Sequence, residues 1–438
     1  MDLTEKIRQQ FDSLPYPQVP LEQSPLDDPN LLFIHSLMTP FYLRSQTIPD
    51  TQNTAILDVG CGSGYKSLAL AVANPQSVVI GIDLSEPSLE VARVRAQTQG
   101  IGNAEFHLLA ISDLPQLGRN FDYINCDETL YLFRDIGEGF QLLRSVLKPE
   151  GIIRANLHSA YQRATYFRAQ ELFKQLGLMA ANPGELEVQI VADTLKSLKP
   201  DVNLAKTWTK DPFEPEGTIN SSAVLMNFLF QGDKGYTIPD LFDALRQADL
   251  ELISMVNWRE WDLLSLFQNP EDLPLFWEIT LPELSDEMHL TLFELISPQH
   301  RLLDFWCGYA GQRKPYRPLN DWSRAEWEQA HIHLHPVLST PRARADLVDS
   351  IQAQQPWEVS RYLSTTIKTP CQVESHLAAC LLPLWDAPQT IQSLIDRRLQ
   401  TCPNDLVTLV PLSEEQAFEQ LKALLMRLET FLYVLVEW

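Results

Sequence analysis

Short apolar runs alternate with amphipathic segments from about residue 54 to residue 158. Runs at Ala55–Val59, Val78–Ile82, Ala104–Ala110, Phe121–Asn125 and Ile152–Leu157 have the length and apolar character of strands. Between them Tyr65–Ala73, Glu86–Gln99 and Ile136–Leu147 carry helical spacing. Ser85 is placed to cap the second helix with Pro87 in its first turn, and Lys148, Pro149 and Gly151 form a stop signal for the third. Strands separated by helices pair in parallel through right-handed crossovers. The pattern therefore predicts an α/β fold with an open, doubly wound, mostly parallel sheet. Ligands of such sheets lie beyond the carboxyl ends of the strands, which gathers Gly60, Asp83, Ile111 and Asp127 around one crevice.

The flanks behave differently. Residues 1–50 show little periodicity but several anchors, among them Tyr16, Pro17, His35, Tyr42 and Arg44, and are read as an N-terminal arm or a lid over the crevice. Residues 160–235 predict a helical insertion, clearest at Phe167–Leu176. A helix at Thr237–Ala248 and an apolar run at Leu250–Val256 then return to the sheet pattern, so the sheet domain is placed at 51–260. Residues 261–438 are broken by prolines and predict a mainly helical C-terminal region, regulatory or substrate-binding, with helices at Ala343–Ala353, His376–Leu382 and Glu414–Leu435.

The chemistry concentrates at residues 56–64, Ile-Leu-Asp-Val-Gly-Cys-Gly-Ser-Gly. An apolar strand that stops at Gly60, Gly62 and Gly64 and hands over to a helix suggests free backbone N–H groups and room for a ligand. Asp83 follows at about 20 residues, the interval of a ribose-binding carboxylate. A dinucleotide needs Gly-x-Gly-x-x-Gly for its pyrophosphate. Here the last spacing is one residue shorter, and Asp58 stands in the strand just ahead. An acid there favours a ligand with an ammonium group beside its carboxylate, so an amino-acid nucleoside fits better than NAD.

The segments "LDVGCGSG", "VIGIDLSEPSLEVAR", "FDYINCDETLYLF" and "LKPEGIIRANL", in that order, resemble the class I S-adenosylmethionine-dependent methyltransferases over roughly residues 50–160, with a weaker likeness in "YTIPDLFDALRQADLELISMV". The resemblance implies a Rossmann-like methyltransferase fold with S-adenosylmethionine as cofactor. It implies that Asp58, Gly60, Cys61, Gly62 and Gly64 surround the methionine end, and that Asp83 binds the ribose with Leu84 against the adenine. Ile111 and Ser112 would edge the adenine ring, and Cys126 and Asp127 would lie beside the sulfonium. Many relatives carry an adenine-binding acid where this chain has Ala110, which shifts that contact to backbone groups at Ile111.

Composition narrows the acceptor. A net charge of -23 repels phosphate backbones, and the one basic group, Arg313, Lys314 and Arg317, stands among prolines. The fourth strand ends Asn125-Cys126-Asp127-Glu128, without the proline motifs that accompany base methylation in the same family. Nucleic acid is therefore not expected as acceptor, and a protein side chain or a small metabolite remains. The stretch "HLAACLLPLWDAPQTIQSLIDRRLQ" is similar to a helical regulatory module of some bacterial protein methyltransferases, which favours a protein acceptor, through lysine. Rival readings are a cofactor-binding regulator without catalysis and an NAD-dependent oxidoreductase. Base candidates are Glu128 and Tyr131 after the fourth strand, and His158 and Tyr161 after the fifth.

The histidines at 331, 333 and 335 would share one face of a strand, but no nearby acid or thiol completes a zinc set, and no metal is expected. Six scattered cysteines, the lack of a basic-then-apolar leader and the lack of about 18 uninterrupted apolar residues predict a cytoplasmic protein outside membranes.

Overall fold

The computed structural model describes residues 8, 9, 12, 16–207, 219–364 and 369–438. Parts of the expected arm (1–7, 10, 11, 13–15) and of the expected insertion (208–218) lie outside the described residues. The central sheet contains β1 (Ala55–Val59), β2 (Val78–Asp83), β3 (Ala104–Leu108), β4 (Phe121–Cys126), β5 (Leu147–His158), β6 (Leu250–Met255) and β7 (Leu302–Tyr309). Their order is β3-β2-β1-β4-β5-β7-β6. Pairing is parallel from β3 across to β5, and β7 runs antiparallel to both β5 and β6. All five residues of β1 are buried, as a strand covered on both faces requires.

Ahead of the sheet, α1 (Pro29–His35) and α2 (Met38–Ser45) are short helices. The crossovers α3 (Tyr65–Ala73), α4 (Glu86–Thr98) and α5 (Ile136–Ser145) fall where helical spacing placed them. The Ser85 hydroxyl caps α4 by accepting the Ser88 N–H. The insertion supplies α6 (Ala164–Gln175), α7 (Glu185–Ser197) and α8 (Ser221–Phe228), which bury Phe173, Val191, Leu195 and Val224 in a small core of their own. Then α9 (Ile238–Gln247) returns the chain to β6, opened by a Thr237/Asp240 capping box.

The sheet does not end near residue 260. The segment 302–309, Leu-Leu-Asp-Phe-Trp-Cys-Gly-Tyr, enters between β5 and β6 as β7, so residues past the expected boundary complete the sheet. It lies inside the sheet, covered on both faces, and so lacks the polar-apolar alternation that marks a half-exposed strand.

The C-terminal region is not purely helical. A three-stranded sheet joins β8 (His331–Leu334) to Gln389–Thr390 and to Val434–Glu437. The helix expected over 414–435 stops at Glu429, and the β-branched Val434 and Val436 pair with β8 instead. Leu32, Phe33 and Tyr42 of α1 and α2 belong to the C-terminal core, with Trp327, Ile332 and Leu425. The Tyr42 phenol oxygen accepts the Val436 N–H at 3.1 Å and lies 3.0 Å from Glu429 Oε1. Residues 29–45 thus tie the C-terminal region to the sheet, where Arg44 donates to the Glu150 carbonyl at 2.7 Å.

Candidate active site

The glycine turn between β1 and α3 is fully engaged with the chain itself. The N–H groups of Gly60 and Cys61 donate to the Ile82 carbonyl at 2.8 and 3.0 Å, and that of Gly64 donates to the Cys61 carbonyl at 2.9 Å. Gly62 N–H donates to Asp83 Oδ2 at 2.9 Å, and Ser63 N–H to the Tyr16 carbonyl at 2.9 Å. The expected set of free N–H groups at residues 60–64 is therefore corrected: every one has an acceptor. The glycines are explained by close neighbours. Gly62 has φ +51° and a Cβ there would sit 2.2 Å from the Tyr16 carbonyl oxygen; Gly64 has φ +81° and a Cβ would meet Ala92 Cβ at 2.6 Å.

Residues 16–20 of the arm are packed on this turn. The Ser63 hydroxyl donates to the Pro17 carbonyl at 2.6 Å. The buried Arg95 guanidinium donates to the carbonyls of Ser63, Pro20 and Val19 at 2.9, 2.9 and 2.7 Å.

Asp83, half-buried at the end of β2, accepts from Gly62 N–H and from Ser85 N–H at 2.9 Å each. Each carboxylate oxygen retains capacity for a further donor such as a ribose hydroxyl. Leu84 and Ile111 are half-buried and Ser112 is exposed, on the two segments that leave the carboxyl ends of β2 and β3. Asp58, Cys61 and Cys126 do not present side chains to the crevice. Cys126 is fully buried, and burial pushes its thiol up. Asp58 is 1% exposed, with Oδ1 accepting from Asn125 Nδ2 at 2.8 Å and Oδ2 from the Ser67 hydroxyl. Burial pushes the Asp58 carboxyl up to about 6 against these hydrogen bonds.

That aspartate begins a buried polar row across the sheet. Asp58, Asn125 and Arg154 are register partners on β1, β4 and β5. Arg154 donates to Asn125 Oδ1 at 3.1 Å and forks onto Asp304 of β7 at 3.1 and 2.7 Å. The row reaches the crevice at Asp127, whose carboxylate lies 3.6 Å from Arg154, 3.2 Å from Lys66 Nζ on the first turn of α3, and accepts from Asn156. Burial would raise the Asp127 carboxyl, but Arg154 and Lys66 hold it well below the usual carboxylate range. Lys66 and Asp127 thus set opposite charges side by side at the mouth between β1 and β4.

Beside this crevice opens a cavity of about 420 Å³, lined by Tyr16, Glu128, His158, Asn220, Met226 and Arg301 among others. Two of the four sequence candidates for a base, Glu128 and His158, line it, and a third, the buried Tyr131, packs behind them. The His158 ring stacks on Tyr131 with centroids 4.1 Å apart, and the Tyr131 hydroxyl lies 3.4 Å from Glu128 Oε2. Tyr161 is exposed at the surface and does not line the cavity. His158 Nδ1 lies 2.6 Å from Asp233 Oδ1. Asp233 has a fully buried side chain and also receives Arg163 at 3.1 Å and Gln170 at 2.9 Å. Burial works to raise the Asp233 carboxyl, yet His158 and Arg163 keep it below its ordinary value. An ionised carboxylate only accepts, so Nδ1 carries the imidazole proton. Arg301 Nη1, a donor only, lies 3.2 Å from Nε2, which leaves Nε2 as the basic nitrogen. Arg301 also forks onto Glu128. Burial pushes the Glu128 carboxyl up, and the Arg301 guanidinium forked onto it outweighs that and holds it below its ordinary value.

Sequence reasoning missed Asp233, Arg301, Lys66 and Arg154. Asp233 sits in Gln-Gly-Asp-Lys-Gly-Tyr, a turn-like stretch that nothing in one sequence links to His158. The histidines of the C-terminal region separate: His335 is buried and bonded to Thr39 at 3.1 Å, and His333 lies 3.1 Å from Glu437. Among the described residues there is no group of three or more metal-ligating side chains.

Residues 50–213 match the model of a methyltransferase domain family. An uncharacterized protein of Synechococcus sp. is 30% identical over 336 residues, spanning 76% of this chain and 77% of that protein. The chain is a class I S-adenosylmethionine-dependent methyltransferase. Ubiquinone biosynthesis O-methyltransferase of Histophilus somni is 35% identical to it over 117 residues, only 26% of this methyltransferase and 48% of that enzyme. Solved structures of PKMT2 from Rickettsia typhi, one in complex with AdoHcy, match it in fold along 96% of its length. The complex has a TM-score of 0.59 at 17% identity and is covered to 77%. The methyltransferase uses S-adenosylmethionine, which sets aside the NAD-dependent alternative. Among its described residues no helix is long and apolar enough to cross a membrane.

Proposed function

We propose that this methyltransferase methylates a protein amine, a lysine side chain, in the cavity beside the glycine turn. The observation that carries the reading is the His158–Asp233 pair. An alkylammonium group has a pKa of about 10.4 and must lose a proton before its nitrogen can act as a nucleophile. His158 Nε2 faces the cavity, and Asp233 holds the opposite nitrogen in its protonated form at 2.6 Å. Positioned general bases contribute about 10²–10⁴-fold.

The residues at the crevice fit the cofactor. Asp83 has acceptor capacity for the ribose hydroxyls. The adjacent charges of Lys66 and Asp127, 3.2 Å apart, match a carboxylate and an ammonium respectively, so they would hold the amino-acid end that the turn N–H groups cannot. Leu84, Ile111 and Ser112 would flank the adenine. Asp58, Cys61 and Cys126 would act from behind, by fixing backbone and neighbours. Bound S-adenosylmethionine supplies a methyl carbon whose bond to sulfur breaks, the electron pair staying on sulfur, as the acceptor nitrogen bonds to it. The acceptor proton goes to His158 Nε2 and from there to solvent. Tyr131 keeps the imidazole plane fixed by stacking, and Tyr16 contributes to both sites, its carbonyl on Ser63 and its side chain on the cavity.

A protein acceptor is supported by the net charge of -23, which favours basic partners, and by a fold likeness to PKMT2 that extends through the C-terminal region. Residues 1–50 then serve as an arm packed on the turn, 51–260 with β7 as the catalytic part, and the remaining C-terminal residues as a surface for the protein partner. The test is incubation of the enzyme and methyl-labelled donor with cell lysate. Label in protein bands is expected, and label confined to small molecules would favour a metabolite acceptor.

A further inference from the structure

The acceptor cavity already contains a cation, contributed by the chain. Arg301 stands just before β7, and its guanidinium faces Glu128 on one side and His158 Nε2 at 3.2 Å on the other. These two groups are a carboxylate and an unprotonated imidazole nitrogen, both acceptors. They lie 3.7 Å apart, so one nitrogen with two hydrogens to donate can bridge them. The occupant they select is a cationic donor. With Arg301 in place the base nitrogen has its lone pair engaged and the carboxylate is neutralised, so the pair is satisfied but closed.

We propose that Arg301 is a resident stand-in for the acceptor's alkylammonium group, and that the acceptor binds by displacing it. The inference rests on the amine reading above and deepens it by naming what selects the amine. Arg301 is the most exposed of the three: its side chain is 45% exposed, whereas His158 is 2% exposed and Glu128 26%. Its backbone stays anchored, because the Arg301 carbonyl accepts the Ser159 N–H at 3.0 Å. The displaced guanidinium is left to solvent, and the entering ammonium takes the Glu128 carboxylate with its proton directed at His158 Nε2. A neutral or anionic acceptor gains nothing from this exchange, since it cannot satisfy Glu128 once Arg301 departs. Arg301 and Glu128 are therefore specificity-determining residues.

Calorimetric titration of the full chain with n-butylammonium chloride tests this, with sodium butyrate as the control of opposite charge and ionic strength held constant. Arg301→Ala is expected to bind n-butylammonium at least about 10-fold tighter than the natural enzyme. Arg301→Lys, which restores a cation, should return to the natural value, and Arg301→Ala with Glu128→Gln should lose the gain. Retained binding of S-adenosylhomocysteine shows that each variant is folded. Equal n-butylammonium affinity in the natural enzyme and Arg301→Ala overturns the proposal. So does butyrate binding that is lost in Arg301→Ala, which would make Arg301 a receptor for an acidic acceptor. The two readings fail separately: n-butylammonium binding in Arg301→Ala without label in any protein removes the protein acceptor but keeps the stand-in, and label in protein with unchanged Arg301→Ala binding does the reverse.

Discussion

His158 Nδ1 lies 2.6 Å from Asp233 Oδ1, joining the last residue of β5 to a residue near the end of the helical insertion. The insertion thereby supplies the group that fixes the tautomer of the base. Asp233→Asn removes the negative charge but keeps an oxygen that can accept Nδ1–H. Methyl transfer is expected to fall about 10²-fold or more, within the range of general-base contributions. Initial rates with labelled donor, alongside calorimetric binding of S-adenosylhomocysteine, check this. Binding should be unchanged, and an unchanged rate would remove the pair from the chemistry.

The two ends of the cofactor separate by mutation. Asp83→Ala removes charged hydrogen bonds worth roughly 1.5–3 kcal/mol each, so affinity for S-adenosylhomocysteine and for 5′-methylthioadenosine should both fall at least about 10-fold. Lys66→Gln is expected to weaken S-adenosylhomocysteine alone, because methylthioadenosine lacks the amino-acid end. Titration of both variants with both ligands is the check. Equal weakening of the two ligands by Lys66→Gln would show that Lys66 acts on the fold of α3 and not on the zwitterion.

Much of this was legible in the sequence and some was not. The alternation from Ala55 to His158 placed β1 through β5 and their helices, because caps such as Ser85 act locally, although α5 ends at Ser145 and the expected stop at Lys148, Pro149 and Gly151 lies inside β5. β7 escaped because Leu302–Tyr309, apolar but for Asp304, carries no period and joins the sheet antiparallel, far from its partners in sequence. At the site, Asp83 and the base candidates Glu128 and His158 could be singled out since each stands at or just past the end of a strand. Their partners could not: Asp233 and Arg301 are 75 and 143 residues from His158, and nothing local encodes such contacts. The glycine motif was found for the right turn and explained by the wrong cause, its N–H groups being taken by Ile82, Asp83, Tyr16 and Cys61.

Stability should carry the signature of Asp58. Burial raises its carboxyl from 3.8 to about 6 in the folded state, so the folded protein holds a proton there that the unfolded chain has released. The folded state is favoured by this group below about pH 4, and the advantage is lost as pH rises from about 4 to 6. At 1.36 kcal/mol per unit, about two units amount to roughly 3 kcal/mol. Asp58→Asn keeps a carbonyl for Asn125 and an amide for Ser67 without a proton to lose. Denaturant unfolding at pH 4 and pH 7 is expected to show the natural chain losing about 3 kcal/mol more than Asp58→Asn over that interval. Parallel pH profiles would show that Asp58 titrates normally.

The central claim is that His158 deprotonates a protein amine in the cavity beside the glycine turn. Mass spectrometry of proteins labelled by the natural enzyme and by His158→Gln tests it most directly. The account predicts methyl groups on lysine Nζ with the natural enzyme, and a loss of at least about 10²-fold with His158→Gln at undiminished S-adenosylhomocysteine binding. Methyl groups on carboxylates, or equal labelling by the two enzymes, would contradict it.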